Sequence, residues 1–141
     1  MRFAIVVGRF YEELAERLVA GATAVFEQAG AGGVDVFDVP GAFELPLAAL
    51  IAAESGRYDG VACLGAVIRG ETSHYDHVCN EAARGIQDVA LRTGVPCGFG
   101  LLTVENRDQA MARSGGGRRD EGADAANAVL ALARMRARLS D

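Results

Sequence analysis

The stretch Gly65-Ala-Val-Ile-Arg-Gly70-Glu71-Thr72-Ser73-His74 runs an apolar segment through two glycines into four side chains able to bind an anion or move a proton. Its spacing matches the phosphate-binding loop G-x-x-x-x-G-K-[ST], but Glu71 stands where the lysine belongs, so nucleoside triphosphate binding is excluded. What survives is a strand that delivers Gly70 to a helix starting at Thr72 or Ser73, with unpaired backbone N–H groups facing an anion. The same residues also read as an ordinary helix start that Thr72 or Ser73 caps. His74, in the first turn beside such a pocket, is placed for proton transfer, because an imidazole ordinarily titrates near neutrality. An exposed histidine without a role is the alternative. His77 raises a metal site, yet two histidines are an incomplete ligand set and Cys79 lies on another helix face, so no metal is expected.

Two further places carry candidate chemistry. Val39-Pro40-Gly41-Ala42-Phe43-Glu44 puts a tight turn after a strand and then a lone acid, Glu44, which reads either as a ligand contact or as a helix-start carboxylate favoured by the dipole. Phe10 follows the first strand, where a heterocycle can stack on it or where it plugs the core. No Ser-His-Asp order, glycosidase-type carboxylate pair or G-x-G-x-x-G assembles from this chain.

These residues need elements to position them. Phe3 to Gly8, Val34 to Val39, Gly60 to Ile68 and Cys97 to Val104 are short β-rich apolar runs, three of them nearly continuous in hydrophobicity, as strands covered on both faces are. Leu14, Leu18, Ala22, Val25, Phe26 and Ala29 recur at helical spacing, as do Val78, Ala82, Ile86, Val89 and Ala90. Gly30, Gly56 and Gly94 are stop signals. Alternating strands and helices predict βαβ units, a four-stranded parallel sheet and a three-layer α/β/α sandwich with flavodoxin-like winding. Ligands on such sheets sit beyond the carboxyl ends of the strands, which is where Phe10, Pro40 to Glu44 and Arg69 to His74 fall. The last helix, from Gly122 to Leu139, is apolar on more than one face and predicts packing against another subunit, or simply good helix formation by alanine.

Composition agrees with one folded domain over residues 1–141. The chain is 50% hydrophobic and 23% charged with 18 glycines, and a chain of this length buries about 70% of its unfolded surface. A net charge of −5 and a pI near 5.0 argue against binding nucleic-acid backbones. Cys63, Cys79 and Cys97 form no C-x-x-C pair and predict free thiols in a reducing compartment. The N-terminal run is too short for a signal peptide, and no span of eighteen apolar residues occurs, so the expectation is a cytoplasmic protein without membrane contact.

Taken in order, "GRF", "VPGAFELPLAA", "YDGVACLGAVIRGETSHYDHVCNEAARGI", "TGVPCGFGLLTVEN" and "DQAMARSG" resemble the 6,7-dimethyl-8-ribityllumazine synthase family over nearly the whole chain. The resemblance implies condensation of 5-amino-6-(D-ribitylamino)uracil with 3,4-dihydroxy-2-butanone 4-phosphate, the penultimate step of riboflavin biosynthesis. It implies no metal and no organic cofactor. Carried onto matching positions, it assigns the phosphate to Glu71 and Thr72 together with Arg113, and proton transfer to His74. It stacks Phe10 on the pyrimidine, sets Ala42 and Glu44 on the ribityl chain, counts Phe43 among the substrate-binding residues, lets the backbone at Val67 and Ile68 read the ring edge, and closes the pocket with Phe99 of a neighbouring subunit. Pentamers with sites between subunits, and functional association with riboflavin synthase, belong to the same implication.

The chain departs from the family pattern in three places. Glu121 replaces an expected lysine, with Arg118 or Arg119 left to restore the charge near the phosphate. Tyr11 replaces a usual asparagine. The sequence begins at the first core strand, without the N-terminal segment of shell-forming relatives, which favours a free pentamer or a pair of them, while the length of the Ser114 to Gly122 loop keeps a closed shell in play. Glu121 and Tyr11 motivate a second reading, a catalytically weak member acting in assembly or flavin binding. A flavodoxin-like FMN carrier would need a hydroxyl-rich loop after the first strand, and "GRFYEE" offers none.

Overall fold

Continuous apolar runs can be buried on both faces only if helices cover both, which holds for the run from Phe3 and for most of the run from Gly60, whereas the run from Cys97 lies at the sheet edge and leaves Phe99 and Thr103 exposed. The computed structural model describes residues 1–116 and 119–140. Strands β1 (Arg2–Gly8), β2 (Gly33–Val39), β3 (Gly60–Ile68) and β4 (Cys97–Val104) form one sheet in the order β2-β1-β3-β4. Every pairing is parallel, with Ile5 opposite Val36 and Ala62, and Cys63 opposite Phe99. This is the α/β sandwich that the alternation of patterns predicts.

Helix α1 (Glu12–Gln28) follows β1, a single 3-10 turn (Ala42–Glu44) leads into α2 (Leu45–Glu54), and α3 (His74–Thr93) joins β3 to β4. A short α4 (Arg107–Ala112) and a long α5 (Glu121–Leu139) complete the chain. One core layer packs Phe3, Ile5 and Val7 against Leu14, Leu18 and Phe26 of α1 and Val129 of α5, with the rings of Phe3 and Phe26 stacked at 4.4 Å. The other packs Val6, Val61 and Cys63 against Leu45 and Ala49 of α2 and Val78, Ala82 and Ile86 of α3. Alternate side chains of one strand therefore feed opposite layers, as the pleat requires.

Gly30, Gly56 and Gly94 all take positive φ at or just past a helix end, and Gly94 at +72° donates its N–H to Ala90 O at 2.9 Å. Helix α4 is not among the elements expected from apolar periodicity, although a local signal for it is present. The Asn106 side chain accepts from Gln109 N at 2.8 Å while the Gln109 side chain accepts from Glu105 N at 2.8 Å, a capping arrangement written in Asn106-x-x-Gln109. Among the described residues no helix is long and apolar enough to cross a membrane.

Helix α5 carries two apolar stripes. Ala125, Ala126, Val129, Leu130 and Ala133 are buried against the chain's own core, whereas Leu132, Met135 and Leu139 face outward, 46%, 57% and 77% exposed. The buried stripe depends on close backbone approach: a Cβ at Gly122 would run into the Leu18 carbonyl of α1, and one at Gly98 into the Ala125 carbonyl of α5. Gly122→Ala should therefore lift α5 from α1 and destabilise the fold by about 1–3 kcal/mol, the usual cost of overpacking. An unchanged midpoint in urea unfolding would show that the helix pair relaxes freely.

Candidate active site

Three strand ends converge because the sheet is parallel. After β1 comes Phe10, after β2 the turn Pro40-Gly41 and the 3-10 turn Ala42–Glu44, and after β3 the segment leading into α3. The first two loops are pressed together where β1 ends. A Cβ on Gly8 would lie 2.9 Å from the Gly41 carbonyl carbon, so only glycine lets the two backbones meet.

A cavity of about 630 Å³ opens between these loops. Phe10, Ala42, Phe43 and Glu44 line one side, and Val67, Ile68, Thr72 and His74 line the other. Phe10 is 75% exposed, which removes the reading of it as a core plug. Phe43, at 62%, is likewise presented to solvent rather than packed inward. Glu44 has a local job as well, since its Oε1 accepts a hydrogen bond from Gly41 N at 3.0 Å and so holds the tight turn closed. Glu71 is exposed and is not among the lining residues.

Strand β3 ends at Ile68 rather than at Gly70, and α3 begins at His74 with Ser73 as its N-cap. The Ser73 side chain makes no capping bond. Thr72 Oγ1 instead accepts from His74 N at 3.2 Å, which ties the hydroxyl and the first turn together at the cavity wall. Tyr75, His77 and Val78 also line the cavity. From sequence alone His77 stands out only as a metal partner, and Tyr75 does not stand out at all. Their signal was helical spacing from His74, since one turn of α3 faces the cavity. Burial pushes the Tyr75 phenol and the Cys79 thiol up from their ordinary pKa values, so both keep their protons at neutral pH. Among the described residues no group of three or more His, Cys, Asp or Glu side chains is placed to hold a metal ion.

Arg69 fastens this turn to the sheet. Its Nε donates to Glu105 at 2.6 Å just beyond β4, its guanidinium lies 4.2 Å over the Tyr75 ring, and Asp76 is 3.5 Å away. The Glu105 hydrogen bond also raises the Arg69 pKa, so the charge is permanent.

Two of the residues singled out in the sequence lie elsewhere. Phe99 and Arg113 line a second cavity of about 230 Å³ along β4, together with Thr103 and Glu121, and it shares no residue with the first. Phe99, 43% exposed, projects from an edge strand. The Arg113 guanidinium donates to Gln109 O at 3.0 Å and makes no ion pair among the described residues. The acid at Glu121 is already matched, because Arg119 donates to it at 2.9 Å. Arg118 lies outside the described residues.

The model of the 6,7-dimethyl-8-ribityllumazine synthase family matches residues 1–137. The proteins named 6,7-dimethyl-8-ribityllumazine synthase from Nitratidesulfovibrio vulgaris strains DP4 and Hildenborough are each 46% identical to this chain over 137 residues, covering 96% of this chain and 88% of theirs.

The Arg69 clamp generates a direct expectation. Arg69→Met should speed amide hydrogen exchange in the first turn of α3, from His74 to Val78, while leaving the C-terminal half of that helix protected. Uniform acceleration along α3 would assign Arg69 to global stability instead.

Proposed function

This chain belongs to the 6,7-dimethyl-8-ribityllumazine synthase family, and from that premise we infer how its residues divide the work. It is a transferase of riboflavin biosynthesis that condenses 5-amino-6-(D-ribitylamino)uracil with 3,4-dihydroxy-2-butanone 4-phosphate. The site residues, the phosphate contact and the assembly are our assignments.

The pyrimidine occupies the larger cavity, with its ring on Phe10, its edge against the backbone of Val67 and Ile68, and its ribityl chain toward Ala42, Phe43 and Glu44. The phosphate sits at the start of α3, where Thr72 and the backbone after Gly70 and Glu71 face it. His74 then stands between the two substrates. The amine of the pyrimidine attacks the ketone, water leaves as the imine forms, phosphate departs by elimination, and closure of the second ring releases the second water. His74 carries protons through these steps, and no metal or organic cofactor is required by them.

One observation supports an intersubunit site above the others. Among the described residues the cavity that holds His74 is lined by no arginine, while Arg113, which makes no ion pair among them, and the projecting Phe99 stand together at a different cavity along the edge strand. A second copy that sets its Arg113 and Phe99 over the first cavity completes both halves at once. The outward stripe of Leu132, Met135 and Leu139 on α5, with Leu47 and Ile51 exposed on α2, provides apolar surface for such a contact. We propose a ring of five, in the cytoplasm, where three free cysteines remain reduced. Association with riboflavin synthase follows from the same family reading.

Formation of the lumazine from the two substrates, followed by its absorbance, tests the reaction and separates it from an assembly or flavin-binding role. Native mass tests the ring, and a mass equal to one chain at micromolar concentration would overturn the intersubunit site. His74→Ala should slow turnover by no more than about a hundredfold, the lower end of what one acid-base group contributes, with both Michaelis constants nearly unchanged. Positioning supplies on the order of 7 kcal/mol or more in such a condensation, so complete loss of turnover with intact binding would make His74 indispensable and refute the account.

A further inference from the structure

Arg17 projects from the middle of α1, lines neither cavity and forms no ion pair among the described residues. Its guanidinium is nevertheless engaged through Nε and one terminal nitrogen. Nε donates to Ser114 Oγ at 2.9 Å, one terminal nitrogen donates to Met111 O at 3.2 Å, and the same nitrogen bonds Gly115 O. Ser114 is 1% exposed, and its hydroxyl passes the bond on to Met111 O at 3.3 Å. All three partners surround one residue in sequence, Arg113. They fix the last turn of α4 before it and the backbone immediately after it.

That backbone needs fixing. Gly115 and Gly116 turn at φ +97° and +75°, and Arg113 itself closes α4 with Glu121 N donating to its carbonyl at 2.8 Å. A segment built from glycines loses much conformational entropy on ordering, so the bonds from α1 add to the turn's own backbone bonds, Gly115 N to Arg119 O at 3.0 Å among them, in holding its geometry. A guanidinium suits the task, because its planar donors meet several acceptors at once where an ammonium would offer a single point.

We propose that Arg17 is a positioning residue for the condensation. It locks the turn after α4 so that Arg113 is presented to the phosphate of a substrate held by the neighbouring copy. This rests on the reading of Arg113 given above. Arg17 touches no substrate and acts through Arg113 alone, which makes its effect specific to the phosphate-bearing partner.

The test compares Arg17→Met, Arg113→Ala and the double variant in the assembled protein, with KM measured separately for each substrate. Arg17→Met keeps the aliphatic stem and removes the donors. It should raise KM for the butanone phosphate about tenfold, as a displaced binding group does, and leave KM for the pyrimidine and the native mass unchanged. Added to Arg113→Ala, it should cost nothing further, because its effect passes through the missing side chain. Equal losses for both substrates, or an undiminished loss on the Arg113→Ala background, would mark a general scaffold role and overturn the proposal. Should Arg17→Met fail to assemble, Ser114→Ala removes one accepting hydroxyl only and should shift the phosphate KM in the same direction by a smaller factor. No shift in that variant overturns the clamp. A phosphate KM untouched by Arg113→Ala would sink the reading of Arg113, and the clamp with it; one raised by Arg113→Ala but not by Arg17→Met or Ser114→Ala sinks the clamp alone.

Discussion

Parallel pairing of β1 with both β2 and β3 is the constraint on which the site depends. Parallel neighbours need crossovers, crossovers place helices on both faces, and every strand then ends on the same side of the sheet. Phe10, Ala42 to Glu44 and Thr72 to His74 are far apart in sequence, yet each is the first polar or irregular segment after a strand. The cavity is the space that three such exits leave. Its walls are steady because the exits touch: Gly8 meets Gly41 backbone to backbone, and Arg69 ties the first turn of α3 to Glu105 beyond β4.

Charge at this end of the sheet is mostly spoken for. Arg9 is held by Asp38 at 2.7 Å and by Glu12 and Glu16, Arg69 by Glu105 and Asp76, and Arg119 by Glu121. These exposed pairs contribute little to stability singly, but each removes a cation from competition for an anion. Arg113 differs, with a backbone carbonyl as its partner and Glu121 drawn to Arg119. With Glu121 drawn to Arg119, Arg113 has no carboxylate partner among the described residues.

How much of this was legible follows from the range of the interactions. Strand ends and helix stops are local, and the runs at Phe3 to Gly8 and Gly60 to Ile68 and the glycines at 30, 56 and 94 announced them in the sequence. The cluster of Phe10 with Ala42, Glu44 and His74 was legible once a parallel sheet was granted, since topology alone brings strand exits together. Arg17 was not legible. Its partners lie nearly a hundred residues away, and an arginine in an amphipathic helix looks the same whether it meets solvent or a buried serine. The pairing of Arg119 with Glu121 was hidden for another reason: adjacent charges in a glycine-flanked turn have no fixed direction until the turn is folded.

Division of the residues between two cavities has a mechanistic logic. An amine and a ketone condense without unusual activation, so a protein that accelerates the reaction gains most from holding both substrates in register while water is excluded. In the proposed ring, the wall made of one chain's strand exits and closed by another's edge strand is rigid on both sides, because neither half is a long loop. It also separates two tasks. In the proposed assignment the pyrimidine meets mainly apolar and backbone groups that read its shape, whereas the phosphate calls for a cation that must not collapse onto the acids of its own chain. Arg113 lies beyond β4, in a cavity apart from Glu44, and makes no ion pair among the described residues, so in the proposed ring it is left for the anion held by a second copy. In the proposed ring, binding the phosphate and completing the site are then one geometric event, and the stiffness of the turn after α4 becomes as much a part of catalysis as the histidine.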